Sequence, residues 1–503
     1  MEIRSNCKML DEAFIWAQEK IRSHVVTGTK CGEINKGDGE KWYGPNGEKR
    51  DAPDAEWAYP KDYIASYWAG YHDRTAFYIR DFVHQAKGAH FAGLDSENFS
   101  MLHSFAKTAS EKTQYYALWA LNFDGSTYYM DTPDEKRFVR EITAQFELVE
   151  TVYELYLLTG DRRYIDDETI FGFVKNIMTE FIKLHDTPFF GKRNGIPKGK
   201  GDIFECSATY NERGFASAEA GDSIAALYKA RLAFCEILSL RGDTDGAKYQ
   251  KEEAEKLKSF FENEWSVIKG SEAYCYAVDT NGKKHYKWKK TCGGVYGAES
   301  CFFMPLKGIT AASRRSRMLL DYIFKKQKSP LSRQKNTESL TYMPDLFFMW
   351  HQNERAWFFM RHIIEKKDLP HEHKTQGTNG DYPEISFTLV SQVLCGLAGI
   401  KKNADKRVFS SCAQLPKEIE KIEISDIAFC EADVSLSVSR KECLLKNNTD
   451  NKVTWLCRFE GEHETFCVNG KTVCTEKMLE NGTAVSYCKL SVKAGETAKI
   501  ICC

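Results

Sequence analysis

Two glutamates far apart in the sequence each precede a helix-forming run, in polar segments that are rich in aromatic residues. Glu212 lies in the segment 210–215 (YNERGF), and Glu384 follows Tyr382-Pro383. A carboxyl group desolvated by aromatic neighbours keeps its proton to higher pH, whereas a carboxylate is stabilised at a helix N-terminus. Hydrolysis of a glycosidic bond needs one carboxylic acid and one carboxylate beside that bond. We therefore predict that Glu212 is a proton donor and Glu384 a general base.

Glu205 and Asp222 are alternatives to Glu212 as the proton donor. Glu205 lies in the same aromatic segment, and Asp222 opens the helix-forming run that follows it. An acidic residue at the start of a helix also has a purely structural explanation, because it interacts favourably with the helix dipole. That explanation applies to Asp222 and to Glu384, so the sequence leaves the identity of the acid open.

A cluster of charged and aromatic residues at 67–85 predicts a surface that binds sugar hydroxyl groups. Arg80 and Asp81 are adjacent, so a donating guanidinium and an accepting carboxylate can hold neighbouring hydroxyls. The structural alternative is an ion pair at a helix end. The residues that we expect to contact the substrate, besides the acid and the base, are Trp68, Tyr71, Arg80, Asp81, His84, Glu205, Tyr210 and Tyr382.

The composition favours a carbohydrate as partner over a nucleic acid or a membrane. The 503 residues include 70 Lys plus Arg and 71 Asp plus Glu, so no net field attracts a polyanion. No stretch of 18 apolar residues is present that would span a bilayer. Aromatic residues reach 13%, and many stand beside polar residues in loops, where their faces can stack on sugar rings. Packing in a large core is the other explanation.

Nothing in the sequence indicates a cofactor or a catalytic metal. Neither a glycine-rich phosphate loop nor a dinucleotide fingerprint occurs, and the 17 cysteines are scattered without the spacing of a zinc site. A structural cation held by loop carboxylates stays open. The N-terminus has no signal-like pattern, which predicts a cytoplasmic protein with reduced thiols. The oligomeric state is not indicated.

Helical periodicity dominates the first four-fifths of the chain. It predicts helices at roughly 8–24, 75–92, 96–121, 137–159, 163–184, 219–241, 246–264, 298–305, 311–325, 338–350, 352–365 and 385–400. Tight turns at Gly160 and Gly242 alternate with long aromatic segments at 185–218, 265–297 and 366–384. The fold expected is mainly α, an (α/α)6 toroid of six helical hairpins with the long loops on one face. An open α-solenoid is the alternative, although no fixed repeat is visible.

From about Lys417 the pattern changes to short runs that alternate apolar and polar residues. Examples are Ile422-Glu423-Ile424 and Val434-Ser435-Leu436-Ser437-Val438, and turns such as Asn469-Gly470 separate them. This pattern predicts a small C-terminal antiparallel β-sandwich. We therefore divide the chain into a catalytic domain at 1–415 and a β-sandwich domain at 416–503.

Three short segments resemble the six-hairpin glycosidases, the group that includes glucoamylase-like, trehalase-like and α-L-rhamnosidase-like enzymes. Tyr78-Ile79-Arg80-Asp81 resembles the Trp-x-Arg-Asp segment that holds sugar hydroxyls before the scissile bond in glucoamylase-like enzymes. The segment 211–216 (NERGFA) resembles the loop of their catalytic acid, without its paired glutamates, and Tyr382-Pro383-Glu384 stands where their base precedes the last helix. The resemblance implies these roles and names no specific family.

The function expected from these features is that of an exo-acting, inverting glycoside hydrolase on a small oligosaccharide or glycoside. Neither the sugar nor its linkage follows from the sequence. A lyase or epimerase acting on a uronic acid or a free sugar is the first alternative, since His72, His84, His90, His351, Tyr71 and Tyr210 are available as proton carriers. A non-catalytic sugar-binding relative is the second alternative.

Overall fold

Helices are the main regular structure of the chain up to residue 397. The computed structural model describes residues 1–204, 208–211, 216–287, 289–291, 294–296 and 299–502. The α-helices are α1 (Lys8–His24), α2 (Ile79–Phe91), α3 (Asp95–Thr108), α4 (Ile142–Thr159), α5 (Arg163–Asp166), α6 (Glu168–Asn176), α7 (Ile182–His185), α8 (Gly221–Leu240), α9 (Thr244–Phe260), α10 (Phe303–Leu306), α11 (Arg314–Lys328), α12 (Tyr342–Met349), α13 (Asn353–Lys366) and α14 (Pro383–Ser391). Pi-helical turns continue α6, α9 and α14 at Ile177–Phe181, Phe261–Trp265 and Gln392–Leu397.

Six of the described helices follow one another in a cycle of contacts; we call them the inner helices and the others the outer helices. Contacts run from α2 to α4, α8, α10 and α12, then to the π-helical continuation of α14, and from α14 back to α2. The inner helices α4 and α8 are mostly apolar and mostly buried, and α14 is buried throughout. The outer helices α9, α11 and α13 carry an apolar stripe and a charged face. This difference follows from burial, because only a helix with neighbours on every side is apolar all round.

Helices α2 and α14 approach each other closely at Gly88. A Cβ atom placed on Gly88 of α2 would lie 2.1 Å from the backbone oxygen of Phe387 of α14. Only glycine allows the two backbones to meet at this distance. The contact brings the first turns of α2 and α14 together, and these turns carry Asp81 and Glu384.

The helices predicted at 75–92 and 96–121 are wrong at one end each. The first begins only at Ile79 and the second ends at Thr108, because the strands β5 (Ala76–Tyr78) and β6 (Ala120–Asn122) pair with each other in antiparallel register. Left-handed backbone at Gln114 and Tyr115, with φ of 54° and 64°, also excludes a helix there. Periodicity alone does not show that a distant segment will compete for these hydrogen-bonding groups.

The C-terminal part is β-rich, as predicted. Its strands are β1 (Glu2–Ser5), β12 (Lys401–Asn403), β13 (Val408–Cys412), β14 (Lys421–Phe429), β15 (Ala432–Ser439), β16 (Glu442–Asn447), β17 (Val453–Glu460), β18 (Thr465–Val468), β19 (Lys471–Cys474), β20 (Glu476–Glu480), β21 (Thr483–Val492) and β22 (Thr497–Cys502). They form a seven-stranded sheet in the order β1-β14-β15-β16-β22-β18-β19 and a five-stranded sheet in the order β12-β13-β17-β21-β20.

The two sheets face each other across an aromatic core. Phe409 and Phe429 have ring centroids 5.5 Å apart, and Phe459 and Phe466 5.1 Å apart, each pair joining one sheet to the other. Strands β12 and β13 lie before residue 416, and the N-terminal strand β1 pairs with β14. The β-rich part therefore contains chain from both sides of the predicted division at 415.

Further short strands lie in the segments between the helices. They are β2 (Lys36–Gly37), β3 (Lys41–Tyr43), β4 (Lys49–Arg50), β7 (Ser217–Ala220), β8 (Ala277–Asp279), β9 (Lys284–His285), β10 (Lys289–Thr291) and β11 (Gly294–Tyr296).

Among the described helices, none combines the length and the apolar character needed to cross a membrane. The cytoplasmic location stays a prediction from the sequence.

Candidate active site

Glu384 lies in the first turn of α14, where Pro383 starts the helix. The residue is 6% exposed, and its Oε1 accepts hydrogen bonds from the Thr341 hydroxyl and from Nδ1 of His84 at 2.7 Å. In the part of the chain that the structure describes, no group donates to Oε2. One carboxylate oxygen is thus anchored by protein donors, and the other is available to a water molecule or a substrate.

His84 lies in the second turn of α2 and joins two carboxylates. Its Nε2 is 2.9 Å from Oδ2 of Asp345, opposite the bond to Glu384. The ring also stacks on Tyr342, with centroids 3.6 Å apart. Burial opposes the charged form, but the two carboxylates outweigh it and raise the pKa of His84 to about 9. His84 is therefore an imidazolium at neutral pH, and neither of its ring nitrogens is left for a sugar in this arrangement.

Asp81 lies in the first turn of α2 and is 9% exposed. The hydroxyl of Tyr382 donates to its Oδ1. Burial raises the pKa of Asp81 to about 7, and the negative charge of Glu384 contributes in the same direction. The molecule thus brings together two carboxyl groups that cannot both ionise without penalty, one of which holds a proton near neutral pH.

Arg80 is enclosed between two aromatic rings. Its guanidinium carbon is 4.4 Å from the ring centroid of Trp119 and 4.3 Å from that of Tyr210. Nη1 donates to the backbone oxygen of Tyr210 at 2.6 Å, and Nε is 3.5 Å from Oε2 of Glu141. The strand β6 places Trp119 here, because the N–H of Ile79 donates to its carbonyl at 3.0 Å.

Asp222 anchors the loop that carries Tyr210. Its Oδ2 accepts bonds of 2.6 Å from both the Thr209 hydroxyl and the Tyr210 N–H, and its Oδ1 accepts from the Ser223 N–H at 2.9 Å. Burial raises the pKa of Asp222 to about 6 against these donors. Both oxygens have protein partners, which fits a supporting role better than proton donation. Glu205 and Glu212 lie outside the described residues.

Tyr71 and Tyr382 form an aromatic wall beside Asp81. Their ring centroids are 5.1 Å apart, and Tyr71 stacks on His373 at 4.8 Å. The structure does not bring Trp68 to this wall: its ring contacts Phe123 at 4.7 Å and His72 at 4.9 Å. Seven of the predicted site residues are therefore grouped around the start of α2 and α14, namely Tyr71, Arg80, Asp81, His84, Tyr210, Tyr382 and Glu384.

Sequence reasoning missed the buried glutamates of α4. Nζ of Lys307 is 3.0 Å from Oε1 of Glu147 and 2.6 Å from Oε2 of Glu150. Burial raises the pKa of Glu147. A signal was present, because charged residues inside a helix that is otherwise apolar on all sides need partners or a function. Asp345 and Thr341 were also missed, and no sequence pattern distinguishes them.

Asp38, Asp73 and His373 each bring one possible ligand atom to within 4.8 Å of the others. The carboxylates have protein partners: Oδ1 of Asp38 is 2.9 Å from Nη2 of Arg74, and Oδ2 of Asp73 accepts from the Thr375 hydroxyl at 2.8 Å. This cluster supplies too little to assign a metal. The absence of a catalytic metal and of a cofactor stays a prediction.

Comparison with solved structures identifies glycosidases of the same fold. A GH78 family rhamnosidase of Bacillus sp. GL1 is 10% identical with a TM-score of 0.57, and covers 88% of this chain and 40% of its own. The α-L-rhamnosidase of Dictyoglumus thermophilum is 11% identical with a TM-score of 0.60, and the match covers 99% of this chain and 50% of that enzyme. The α-L-rhamnosidase of Streptomyces avermitilis, complexed with L-rhamnose, is 10% identical with a TM-score of 0.55, and the match covers 99% of this chain and 42% of that enzyme.

These likenesses concern the fold, and this chain spans half or less of the length of those enzymes. The likeness in fold confirms the resemblance to the glycosidase group that the sequence indicated, and it assigns no specific family. No protein-family model and no curated protein matches the sequence.

Proposed function

We propose that this protein is a glycoside hydrolase that acts through a pair of carboxyl groups. The observation that carries the proposal is the position of Glu384 beside the sugar-binding candidate Asp81, at the adjoining N-terminal ends of two inner helices. The charge of Glu384 helps to raise the pKa of Asp81 to about 7. Asp81 can thus bind sugar hydroxyls next to Glu384, and Glu384 is one of the two carboxyl groups that glycoside hydrolysis needs.

In the proposed reaction Glu384 is the general base. Its Oε2 takes the proton of a water molecule as that water attacks the anomeric carbon. Glu212 is the proposed general acid that protonates the leaving oxygen. An inverting enzyme needs a separation of about 6.5–9.5 Å between acid and base to accommodate the water. Asp81 and Arg80 hold hydroxyl groups of the terminal sugar, which makes the enzyme exo-acting.

The same proposal includes the architecture. We infer that the helices of residues 1–415 form an (α/α)6 toroid of six hairpins and that 416–503 form an appended β-sandwich domain, which β1, β12 and β13 complete from the first part of the chain. The return of helix contacts from α14 to α2 supports a closed ring over an open solenoid. A closed ring matters for the chemistry, since it allows residues about 170 positions apart, such as Glu212 and Glu384, to face one cleft.

The proposal is tested by hydrolysis of aryl α- and β-glycosides, with α-L-rhamnosides included because the similar structures are rhamnosidases. Glu384→Gln should lower kcat by at least about 100-fold on every substrate that the wild type cleaves. Glu365→Gln is the control, because Glu365 is an exposed glutamate of α13 that pairs with Arg361. NMR of the first product anomer then distinguishes inversion from retention.

The acid is identified separately by varying the leaving group. Removal of the acid, by Glu212→Gln, should strongly impair substrates with poor leaving groups and spare dinitrophenyl glycosides, which need little protonation. Asp81→Asn should impair both substrate types if Asp81 binds the sugar. Full activity of the Glu384 variant would refute the mechanism. An ultraviolet-absorbing unsaturated product would instead indicate the lyase reaction.

A further inference from the structure

The bond between His84 and Glu384 is part of a three-helix arrangement. Glu384 comes from α14, His84 from α2 and Asp345 from α12, and the imidazole lies between the two carboxylates at 2.7 and 2.9 Å. The His84 side chain is 10% exposed, and the stacked Tyr342 ring, inclined by only 3°, fixes its plane. Both nitrogens and one face of the ring are thus determined by protein groups.

We propose that His84, held as a cation by Asp345, is the positioning residue that orients Glu384 for catalysis. This inference rests on the proposed function, since it assigns how the base of that reaction is held. His84 does not touch the substrate in this proposal. It replaces the substrate-binding role that the sequence suggested for the same residue.

The anchor acts on one oxygen of Glu384 only. His84 donates to Oε1, and the Thr341 hydroxyl contacts the same oxygen with a proton that the backbone oxygen of Glu338 can also accept, so rotation of the carboxylate would break both contacts. Oε2 is then directed away from these donors and can bind the attacking water. A base that is misdirected by about 1 Å can lose about 100-fold in rate, so a fixed carboxylate has a direct kinetic value.

Gln392 connects Asp345 with the backbone at Thr341. Its Nε2 donates to the backbone oxygen of Thr341 at 2.6 Å and to Oδ2 of Asp345 at 3.1 Å. Asp345 therefore receives bonds from His84 and from Gln392 and is held in place itself. This is the arrangement expected of a carboxylate that orients an imidazole rather than one that takes part in the reaction.

The charged groups that face His84 come from three helices. Glu384 and Asp345 contact it, Tyr342 covers it, and Glu147 of α4 lies close enough to interact electrostatically. Lys307 neutralises Glu147 and contacts neither nitrogen of His84. Below pH 9 the imidazolium donates to both carboxylates. Above that pH it loses one proton, and one of the two bonds becomes a repulsion between lone pairs.

The test is the alkaline limb of kcat in Asp345→Asn on a dinitrophenyl glycoside, because such a substrate needs little protonation and the limb then does not report the proposed acid Glu212. Loss of one of the two neighbouring anions should lower the pKa of His84, by about 1–2 units for a charge at this distance. The alkaline limb of kcat should move down by the same amount, with KM little changed. The matched control is Glu460→Gln, because Glu460 is 2.7 Å from His351 in a similar histidine–carboxylate bridge at the β-rich part. It should leave the limb in place.

A second measurement needs no activity. NMR of ¹³Cε1-labelled histidine in the wild-type protein should show His84 titrating near pH 9. The signal of His84 is assigned as the one that disappears in His84→Gln. The same signal should titrate lower in Asp345→Asn. If no glycoside is cleaved, the proposed function fails while this titration still reports the bridge. A wild-type His84 that titrates near 6.5, or an unchanged alkaline limb in an active and folded Asp345→Asn, overturns the positioning role.

Discussion

The substitution Asp81→Asn should stabilise the protein in alkaline solution while it impairs substrate binding. Asparagine has almost the same shape, and its Oδ1 can still accept the hydrogen bond of Tyr382. The substitution removes a negative charge that is buried and lies near the charge of Glu384. Sites built for function commonly contain such destabilising groups, whose removal raises stability.

The magnitude follows from the pKa. Folding raises the pKa of Asp81 from 3.8 to about 7. The folded state therefore binds this proton more tightly than the unfolded state, and the wild type loses stability as the pH rises from about 4 to about 7. The full loss is roughly 4 kcal/mol above pH 7, at about 1.4 kcal/mol per pKa unit. Between pH 5 and pH 9 the difference between variant and wild type should grow by about 3 kcal/mol.

Thermal unfolding of both proteins at pH 5 and pH 9 measures this difference. The unfolding entropy of a chain of this length is about 1 kcal/mol per kelvin, so the Tm advantage of the variant should be about 3 °C larger at pH 9. Asp321→Asn, at an exposed carboxylate that pairs with Arg355, controls for loss of charge. An equal Tm difference at the two pH values, or a variant less stable than wild type at pH 9, would refute the reasoning.

Two further substitutions test contacts of the inner helices, the first a packing contact and the second a charge contact. Gly88→Ala should destabilise the protein by at least about 1–3 kcal/mol, because the added methyl meets the backbone of Phe387. Gly172→Ala is the control, since open space surrounds it, and should be neutral or stabilising in the same melts. Lys307→Met should destabilise the protein by about 3–5 kcal/mol at pH 8, since it leaves two buried glutamates unpaired. Denaturation at pH 5 should show a smaller loss, and an equal loss at both pH values would contradict this electrostatic explanation.

The sequence by itself determined the elements whose patterns are local. The helix predicted at 8–24 forms with those bounds, and Gly160 ends α4 in the left-handed conformation, with φ of 72°. The alternating run predicted at 434–438 lies in strand β15. Periodicity and C-capping depend on residues within one or two turns, so a single sequence contains the information. Pro383 likewise indicated that Glu384 stands at a helix start.

Only the tertiary structure decided which side chains meet. The bonds from His84 to Asp345 and Glu384 join residues 261 and 300 positions apart, and no local pattern relates them. The pairing of β5 with β6 overrides the helical periodicity near residue 120 and thereby brings Trp119 against Arg80. The raised pKa of Asp81 has the same origin. Burial and the nearness of another charge are properties of the assembled helices, because desolvation and Coulomb interactions depend on distance in space and not along the chain.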